Sequence, residues 1–238
     1  MSIATRYFDY PAGRINSEAY FAHPGGDDRP LVLVCHAWGG QGDFERKVTE
    51  ELAGKGYAAM AVDLYGKGVR GSSPEENQKL MTPLVEDRAM LRERLKTSIE
   101  AGRAQPGVIA EKTAAIGFCF GGLCVFDMAR MGADLNAVVS FHGLFGAADG
   151  IANQSVTAKI LALHGWGDPM ATPENMIDFG KEMDAAGADW QVYAYGDTVH
   201  AFTNPAANDK ANGMAYDPVV TRRAWAACDD FLAEAFAG

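Results

Sequence analysis

Short, almost uninterrupted apolar runs alternate along this chain with longer segments whose apolar residues recur every third or fourth position. The runs are "LVLVC" (31–35), "AAMAV" (58–62), "TAAIG" (113–117), "AVVSF" (137–141), "KILAL" (159–163) and "QVYAY" (191–195). They are mostly apolar rather than alternating, which predicts strands covered on both faces, as in a parallel sheet. Between them the period changes to that of a helix. "DFERKVTEELAGKG" opens at Asp43, read as the N-cap, and stops at Gly54, while "ENMIDFGKEMDAAG" follows Thr172 and Pro173 and closes at Gly187. "VEDRAMLRERLKTSIEAG" places Leu91, Leu95 and Ile99 at i, i+4 and i+8, and "DPVVTRRAWAACDDFLAEAF" lines Val220, Ala224, Cys228 and Phe231 along one stripe. Each such helix lays one face on the sheet.

Strands separated by helices define an α/β fold with a mostly parallel central sheet and helices on both of its faces. The first 30 residues break the pattern. "TRYFDY" and "RINSEAYFAHP" flank Pro11 and Gly13, predicting an antiparallel hairpin at the N-terminal edge of the sheet. "YGKGVRGSSPEENQK" (65–79) is expected to be one long irregular loop. No internal repeat, low-complexity tract or linker interrupts the chain, so residues 1–238 are expected to form a single domain.

Composition narrows the partners. The chain has 238 residues, 48% of them hydrophobic, enough to bury a full core. Acidic residues outnumber basic ones 31 to 21, a formal charge of -10, with a pI near 4.9. Nucleic acid and anionic membrane surfaces are repelled by such a chain, which suits a small neutral or weakly charged molecule better. The N-terminus lacks a basic segment followed by an apolar one, and no run approaches the roughly 18 apolar residues of a membrane span, so a cytoplasmic location is expected. Cys35, Cys119, Cys124 and Cys228 form no CxxC and no metal-ligand spacing, which predicts reduced thiols and no bound metal or other cofactor. Monomer and homodimer are both compatible with the helix predicted over 219–236.

One of those thiols sits in a distinctive frame. In "AAIGFCFGG" (114–122) Cys119 falls between a predicted strand and the predicted helix "GGLCVFDMARMG", on the sharp strand-to-helix turn called a nucleophile elbow. Gly117, Gly121 and Gly122 suit the turn because side chains there would clash. The start of the following helix directs N–H groups and its positive dipole end at the sulfur, favouring a thiolate and offering donors to an oxyanion. Cys35, Cys124 and Cys228 lack this frame and read as small buried hydrophobes.

A nucleophile needs a base, and an imidazole base needs a group to orient it. His200, in "YGDTVHAF", follows the last predicted strand, and Asp168, in "LALHGWGDPM", follows the strand before it. Both would hang from the carboxyl ends of parallel strands, on the side where Cys119 emerges. The order nucleophile, acid, histidine is that of the α/β-hydrolases. His23, His36, His142 and His164 are scattered among strand ends without HExxH or HxH spacing and read as neutral structural imidazoles.

"GFCFGG", "LHGWGDP" and "GDTVHAF", together with "LVLVCHAWGG" and "YAAMAVDLYG", resemble the dienelactone hydrolase family of α/β-hydrolases from about residue 5 to the end. The resemblance implies that Cys119 is the nucleophile, His200 the general base and then acid, and Asp168 the residue fixing the imidazole tautomer. It also implies an oxyanion hole made by the backbone N–H groups of Phe120 and Trp38. Two positions depart from the family pattern. Ala37 stands where a glutamate usually follows the first long strand, so a permanent thiolate–imidazolium pair between Cys119 and His200 is expected. Asn204 stands where an arginine helps to hold a substrate carboxylate, leaving Lys67, Arg70 or Lys79 as the remaining basic candidates. Ala37, Trp166 and Asn204 are expected to border the substrate pocket.

The expected activity is hydrolysis of small activated esters or lactones through a thioester on Cys119. A promiscuous aryl esterase or phosphotriesterase using the same thiol is the first alternative. A non-catalytic binding protein on the same scaffold is the second.

Overall fold

Residues 3–149 and 153–237 are described in the computed structural model. The chain divides into two compact units, Met1–Ile116 and Gly117–Gly238.

In the first unit, Pro11 and Gly13 mark the turn of a hairpin between β1 (Ala4–Ala12) and β2 (Ile15–His23), paired antiparallel from Ala4 opposite His23 to Ala12 opposite Ile15. The remaining strands are β3 (Arg29–Cys35), β4 (Ala58–Ala61) and β5 (Val108–Phe118), in the order β1-β2-β4-β3-β5. β2 meets β4 antiparallel and β4 meets β3 parallel, so the antiparallel edge lies where the N-terminal pattern placed it. β5 begins five residues before "TAAIG", and its last two residues belong to the second unit.

Helix α1 (Asp43–Gly54) is capped by Gly42 rather than Asp43, because Glu45 Oε2 accepts the Gly42 N–H at 2.8 Å and sets the start one residue earlier. The expected loop 65–79 is helical from its midpoint. α2 (Pro74–Glu86) starts there because Ser73 Oγ accepts the Glu76 N–H at 3.3 Å and Pro74 is pre-set for a first helical turn. α3 (Arg88–Arg103) follows, with Leu91, Leu95 and Ile99 buried as their spacing predicted.

The second unit begins with Gly117 and Phe118, at the end of β5, and continues through α4 (Phe120–Arg130), β6 (Ala137–Phe141), β7 (Lys159–Gly165), α5 (Pro173–Ala186), β8 (Trp190–Tyr195) and α6 (Pro218–Ala237). β6 pairs parallel with β7, and β7 with β8. Their carboxyl ends therefore emerge along one edge, and the loops leaving that edge carry His142, Asp168 and His200. α5 starts behind Thr172 and stops at Gly187 in the left-handed conformation, and Val220, Ala224, Cys228 and Phe231 of α6 are buried. β8 departs from expectation: its residues are exposed or half-buried, as suits the last strand of the order. The whole is a mostly parallel α/β architecture. Among the described residues no helix is long and apolar enough to cross a membrane.

The glycines around Cys119 meet a steric limit. A Cβ on Gly117 would overlap the Gly121 carbonyl, and one on Gly122 would strike Ser140 Oγ and lie 2.5 Å from Gly143 Cα. Backbone cannot retreat as a flexible side chain can. Gly122→Ala is therefore expected to destabilise the protein by about 3 kcal/mol, read as a lower urea midpoint at constant slope. An unchanged midpoint would show that the crowding at this turn is not real.

Candidate active site

Cys119 is the residue on which β5 ends and α4 begins. Its φ of 55° and ψ of -114° lie outside the regions a non-glycine residue prefers, a conformation that costs on the order of 1–3 kcal/mol. The turn is held by the Cys119 N–H donating to Phe141 O at 3.1 Å and by the Gly122 N–H donating to Cys119 O at 2.9 Å. Its side chain is half-buried, whereas Cys35, Cys124 and Cys228 are fully buried, in line with the contrast drawn from their sequence frames. Phe120 occupies the first helical position, at the positive end of the α4 dipole.

Asp168 and His200 meet across the loops that follow β7 and β8. His200 Nδ1 lies 2.7 Å from Asp168 Oδ2, and both side chains are buried. The other carboxylate oxygen, Oδ1, accepts the Met170 N–H at 2.8 Å. Asp168 is thus held by its own loop while it holds the ring, and the ring must present Nδ1–H to it. Nε2 takes no part in that contact. Burial disfavours a charged imidazole here, but the charge on the Cys119 sulfur, the Asp168 hydrogen bond and the Asp168 charge outweigh it and push His200 up to about 10. Among the described residues no hydrogen bond of ordinary geometry reaches Nε2, although the Cys119 side chain raises the ring's pKa by hydrogen bonding as well as by charge. Contacts of this kind commonly tighten only when substrate is bound.

The loop bearing His200 is fixed through its backbone. The His200 N–H donates to Gly213 O at 2.9 Å, and the Ala215 N–H donates to His200 O at 3.1 Å. A short ribbon of β9 (Asn208–Asp209) and β10 (Met214–Ala215) supplies that support.

Two further histidines surround this pair, and no motif in the chain set them beside it. The ring of His142 stands nearly edge-on to His200 with centroids 5.0 Å apart, and its Nε2 lies 2.7 Å from Thr203 Oγ1. Burial first, and then the neighbouring rings of His200 and His164, hold His142 well below its ordinary value, so it stays neutral. His164 Nε2 donates to Ala171 O at 2.8 Å and lies 3.5 Å from Asp168 Oδ2. The available signal was positional: His142 directly follows a predicted strand, on the edge that carries the other two loops.

The remaining expected site residues are placed as follows. Trp166 directly follows β7, is 53% exposed, and donates its N–H to Tyr195 O at 2.8 Å. Asn204 is exposed and closes a turn, its Oδ1 accepting the Ala206 N–H at 3.0 Å. In the first unit, Ala37 and Trp38 lie half-buried in the loop after β3. Lys67 pairs with Asp9 and Glu18, and Arg70 is tied to Asp63 and the Gln41 carbonyl. Lys79 is exposed on α2. Among the described residues no group of three or more His, Cys, Asp or Glu is arranged to hold a metal ion.

Known proteins resemble the chain over most of its length. The model of the dienelactone hydrolase family matches residues 17–236. A solved structure named m3DLH is 34% identical with a TM-score of 0.93, covering 98% of this chain and 99% of that one. The crystal structure of a dienelactone hydrolase-like promiscuous phosphotriesterase from metagenomic libraries is 33% identical with a TM-score of 0.91 over the same shares, 98% and 99%. A putative carboxymethylenebutenolidase of Escherichia coli strain K12 is 26% identical over 217 residues, 84% of this chain and 78% of that protein.

Proposed function

The chain belongs to the dienelactone hydrolase family, a hydrolase acting on ester or lactone bonds, and from that premise we propose that it cleaves small, neutral, activated esters and lactones through a thioester on Cys119. One observation carries this reading. Asp168 Oδ2 holds His200 Nδ1 at 2.7 Å, and Cys119 and Asp168 together push that ring up to about 10 against its burial, so the base beside the strand-to-helix turn of Cys119 is oriented and charged.

The thiolate attacks the carbonyl carbon, forming a C–S bond while the π pair moves to oxygen. The Phe120 N–H, at the positive end of the α4 dipole, holds the resulting oxyanion. Collapse expels the alcohol oxygen, which takes a proton from His200 Nε2. The now neutral ring removes a proton from water attacking the thioester, and the thiolate departs. A thiolate leaves more readily than a simple alkoxide, so the intermediate goes forward only when the substrate's own leaving group is good.

The charge pattern supports a neutral substrate. Segments 142–149, 166–172 and 197–207, which carry His142, Asp168 and His200, contain no lysine or arginine, and Lys67 and Arg70 are already paired. Trp166, two residues before Asp168, supplies apolar surface at the same strand edge. A second reading, attack on a neutral aryl phosphotriester, is favoured by the 33% identity to the promiscuous phosphotriesterase. On phosphorus the S–P intermediate would be slow to hydrolyse.

Stopped-flow release of nitrophenol from a panel of aryl esters and aryl phosphotriesters tests both readings. A burst of about one equivalent per Cys119 is expected with each, followed by fast turnover for the esters and slow turnover for the triesters. Aryl esters bearing a carboxylate should show kcat/KM at least about tenfold lower than neutral ones, through lost attraction in an acidic protein. A burst that survives blocking of Cys119 would end the covalent mechanism.

A further inference from the structure

The residue that follows β6 is bent into a conformation its side chain does not favour. His142 has a φ of 41°, in the left-handed region, which costs on the order of 1–3 kcal/mol for a residue other than glycine. Its N–H donates to Leu163 O at 2.9 Å, so the bend is tied to β7. The ring is buried among Phe118, Phe202 and His200, with centroids 6.1, 5.2 and 5.0 Å from its own. Filling that space does not call for a histidine. A phenylalanine would do it with no polar atom to take out of water.

The polar edge of the ring accounts for the choice. Nε2 lies 2.7 Å from Thr203 Oγ1, whereas among the described residues Nδ1 finds no partner on another residue. The Thr203 hydroxyl is its one polar anchor. Thr203 is buried three residues after His200, in a turn closed by the Asn204 N–H donating to Ala201 O at 2.9 Å. That turn is fastened in its own right, because Phe202 O accepts the Thr221 hydroxyl of α6 at 2.7 Å and the Asp217 N–H at 3.0 Å. The contact between His142 and Thr203 therefore joins two loops whose residues lie 61 positions apart.

His142 meets His200 edge-on, with 68° between the ring planes. Asp168 holds one atom of the His200 ring, Nδ1, at 2.7 Å. The His200 side chain has two torsions, which a single hydrogen bond restrains only in part. A rigid neighbouring surface restrains the rest. Burial keeps His142 neutral, so this surface brings no positive charge against a protonated His200.

We propose that His142 is a positioning residue for the hydrolytic reaction, its ring anchored on Thr203 and fixing the plane of the His200 imidazole. This rests on the function proposed above, in which His200 Nε2 gives a proton to the leaving oxygen and takes one from water. Both transfers demand an aligned ring. Attack of the sulfur on an ester whose leaving group departs unprotonated, or on iodoacetamide with loss of iodide, demands only a thiolate. His142 acts on the first kind of step and not on the second.

Two variants remove the anchor from opposite sides. His142→Phe keeps a ring in place, and Thr203→Val keeps the branched shape without the hydroxyl. The readouts are kcat and KM for a 4-nitrophenyl ester and for the matching phenyl ester, and the rate of Cys119 alkylation by iodoacetamide. With the nitrophenyl ester, water attack on the thioester limits turnover, so kcat and KM should fall together by about tenfold and leave kcat/KM within about twofold of the parent. That loss is a fraction of the 10²- to 10⁴-fold a general base supplies. With the phenyl ester, whose leaving oxygen needs the proton, kcat/KM should fall about tenfold. Alkylation should stay within about twofold. The double variant should lose no more than either single one, because both remove the same contact.

Thr203→Val leaves the His142 ring untouched and serves if His142→Phe does not fold. Alkylation slowed in step with turnover, losses that add in the double variant, or full turnover in the folded variants would overturn this inference alone. A parent that shows no burst of nitrophenol, or keeps its turnover after Cys119 is blocked, would overturn the proposed function and this inference with it.

Discussion

Cys119→Ala is expected to lower kcat for aryl esters by at least about 10³-fold while leaving the fold intact. Nucleophile and base act as one unit in such sites, so removing the nucleophile removes nearly all of the chemistry, and only oxyanion binding and proximity remain. Alanine is as strained as cysteine at a φ of 55°, so no conformational relief accompanies the loss. Glycine is different. Cys119→Gly should be equally inactive yet more stable by about 1 kcal/mol, since glycine adopts that conformation without strain. The pair of variants separates what the bend does from what the sulfur does. Cys119→Ala should also change its neighbour: with the sulfur's charge gone, the His200 pKa must fall from about 10 towards the ordinary histidine range, because burial remains and now meets less opposition. Proton NMR of the His200 ring through a pH titration reads this directly. Turnover retained in Cys119→Ala, or a His200 titration that does not move, would remove the sulfur from the mechanism.

Much of this site was legible in the chain because its chemistry is tied to local backbone demands. The elbow could be read from Gly117, Gly121 and Gly122, since only a backbone too tight for side chains calls for glycine at that spacing. Asp168 and His200 could be placed at one edge because parallel strands deliver their following loops to the same side. The fold was legible for the same reason, with the β3, β4, β6 and β7 runs announced by continuous apolar residues and α3 and α6 by their stripes. What was missed depends on contacts distant in sequence. β8 is as apolar as its neighbours in "QVYAY", but being last in the order it exposes residues that the pattern would bury. α2 was hidden by the glycines before it, and its start rests on the Ser73 cap and Pro74. His142 and His164 looked like isolated structural imidazoles, and both are neutral and hydrogen-bonded as expected. Their place beside His200 and Asp168 follows from loop paths that no periodicity encodes. His36 is a similar case, because its tautomer is set by Leu64, 28 residues away.

Asp168→Asn should lower kcat by about 10³- to 10⁴-fold with little change in fold, and the reason lies in one proton. The carboxylate accepts from His200 Nδ1 at 2.7 Å and so requires Nδ1 to carry hydrogen. The amide of asparagine has a donor as well as an acceptor. Oδ1 of residue 168 already accepts from the Met170 N–H at 2.8 Å, so the amide oxygen is retained there and the NH₂ turns towards His200. Nδ1 must then accept, the ring proton moves to Nε2, and Nε2 can no longer take a proton from sulfur or water. The change also removes a negative charge that favours the imidazolium, so the His200 pKa falls from about 10 and the positive charge that would favour a thiolate beside it is weakened. Two measurements follow that differ in how far they recover with rising pH. Iodoacetamide alkylation of Cys119 in Asp168→Asn should be slow at pH 7 and recover as hydroxide generates thiolate. Ester turnover should not recover to the same extent, because raising the pH does not restore the tautomer. Full recovery of turnover with rising pH would mean that Asp168 acts through charge alone. Unimpaired turnover at pH 7 would mean that it does not orient the base at all.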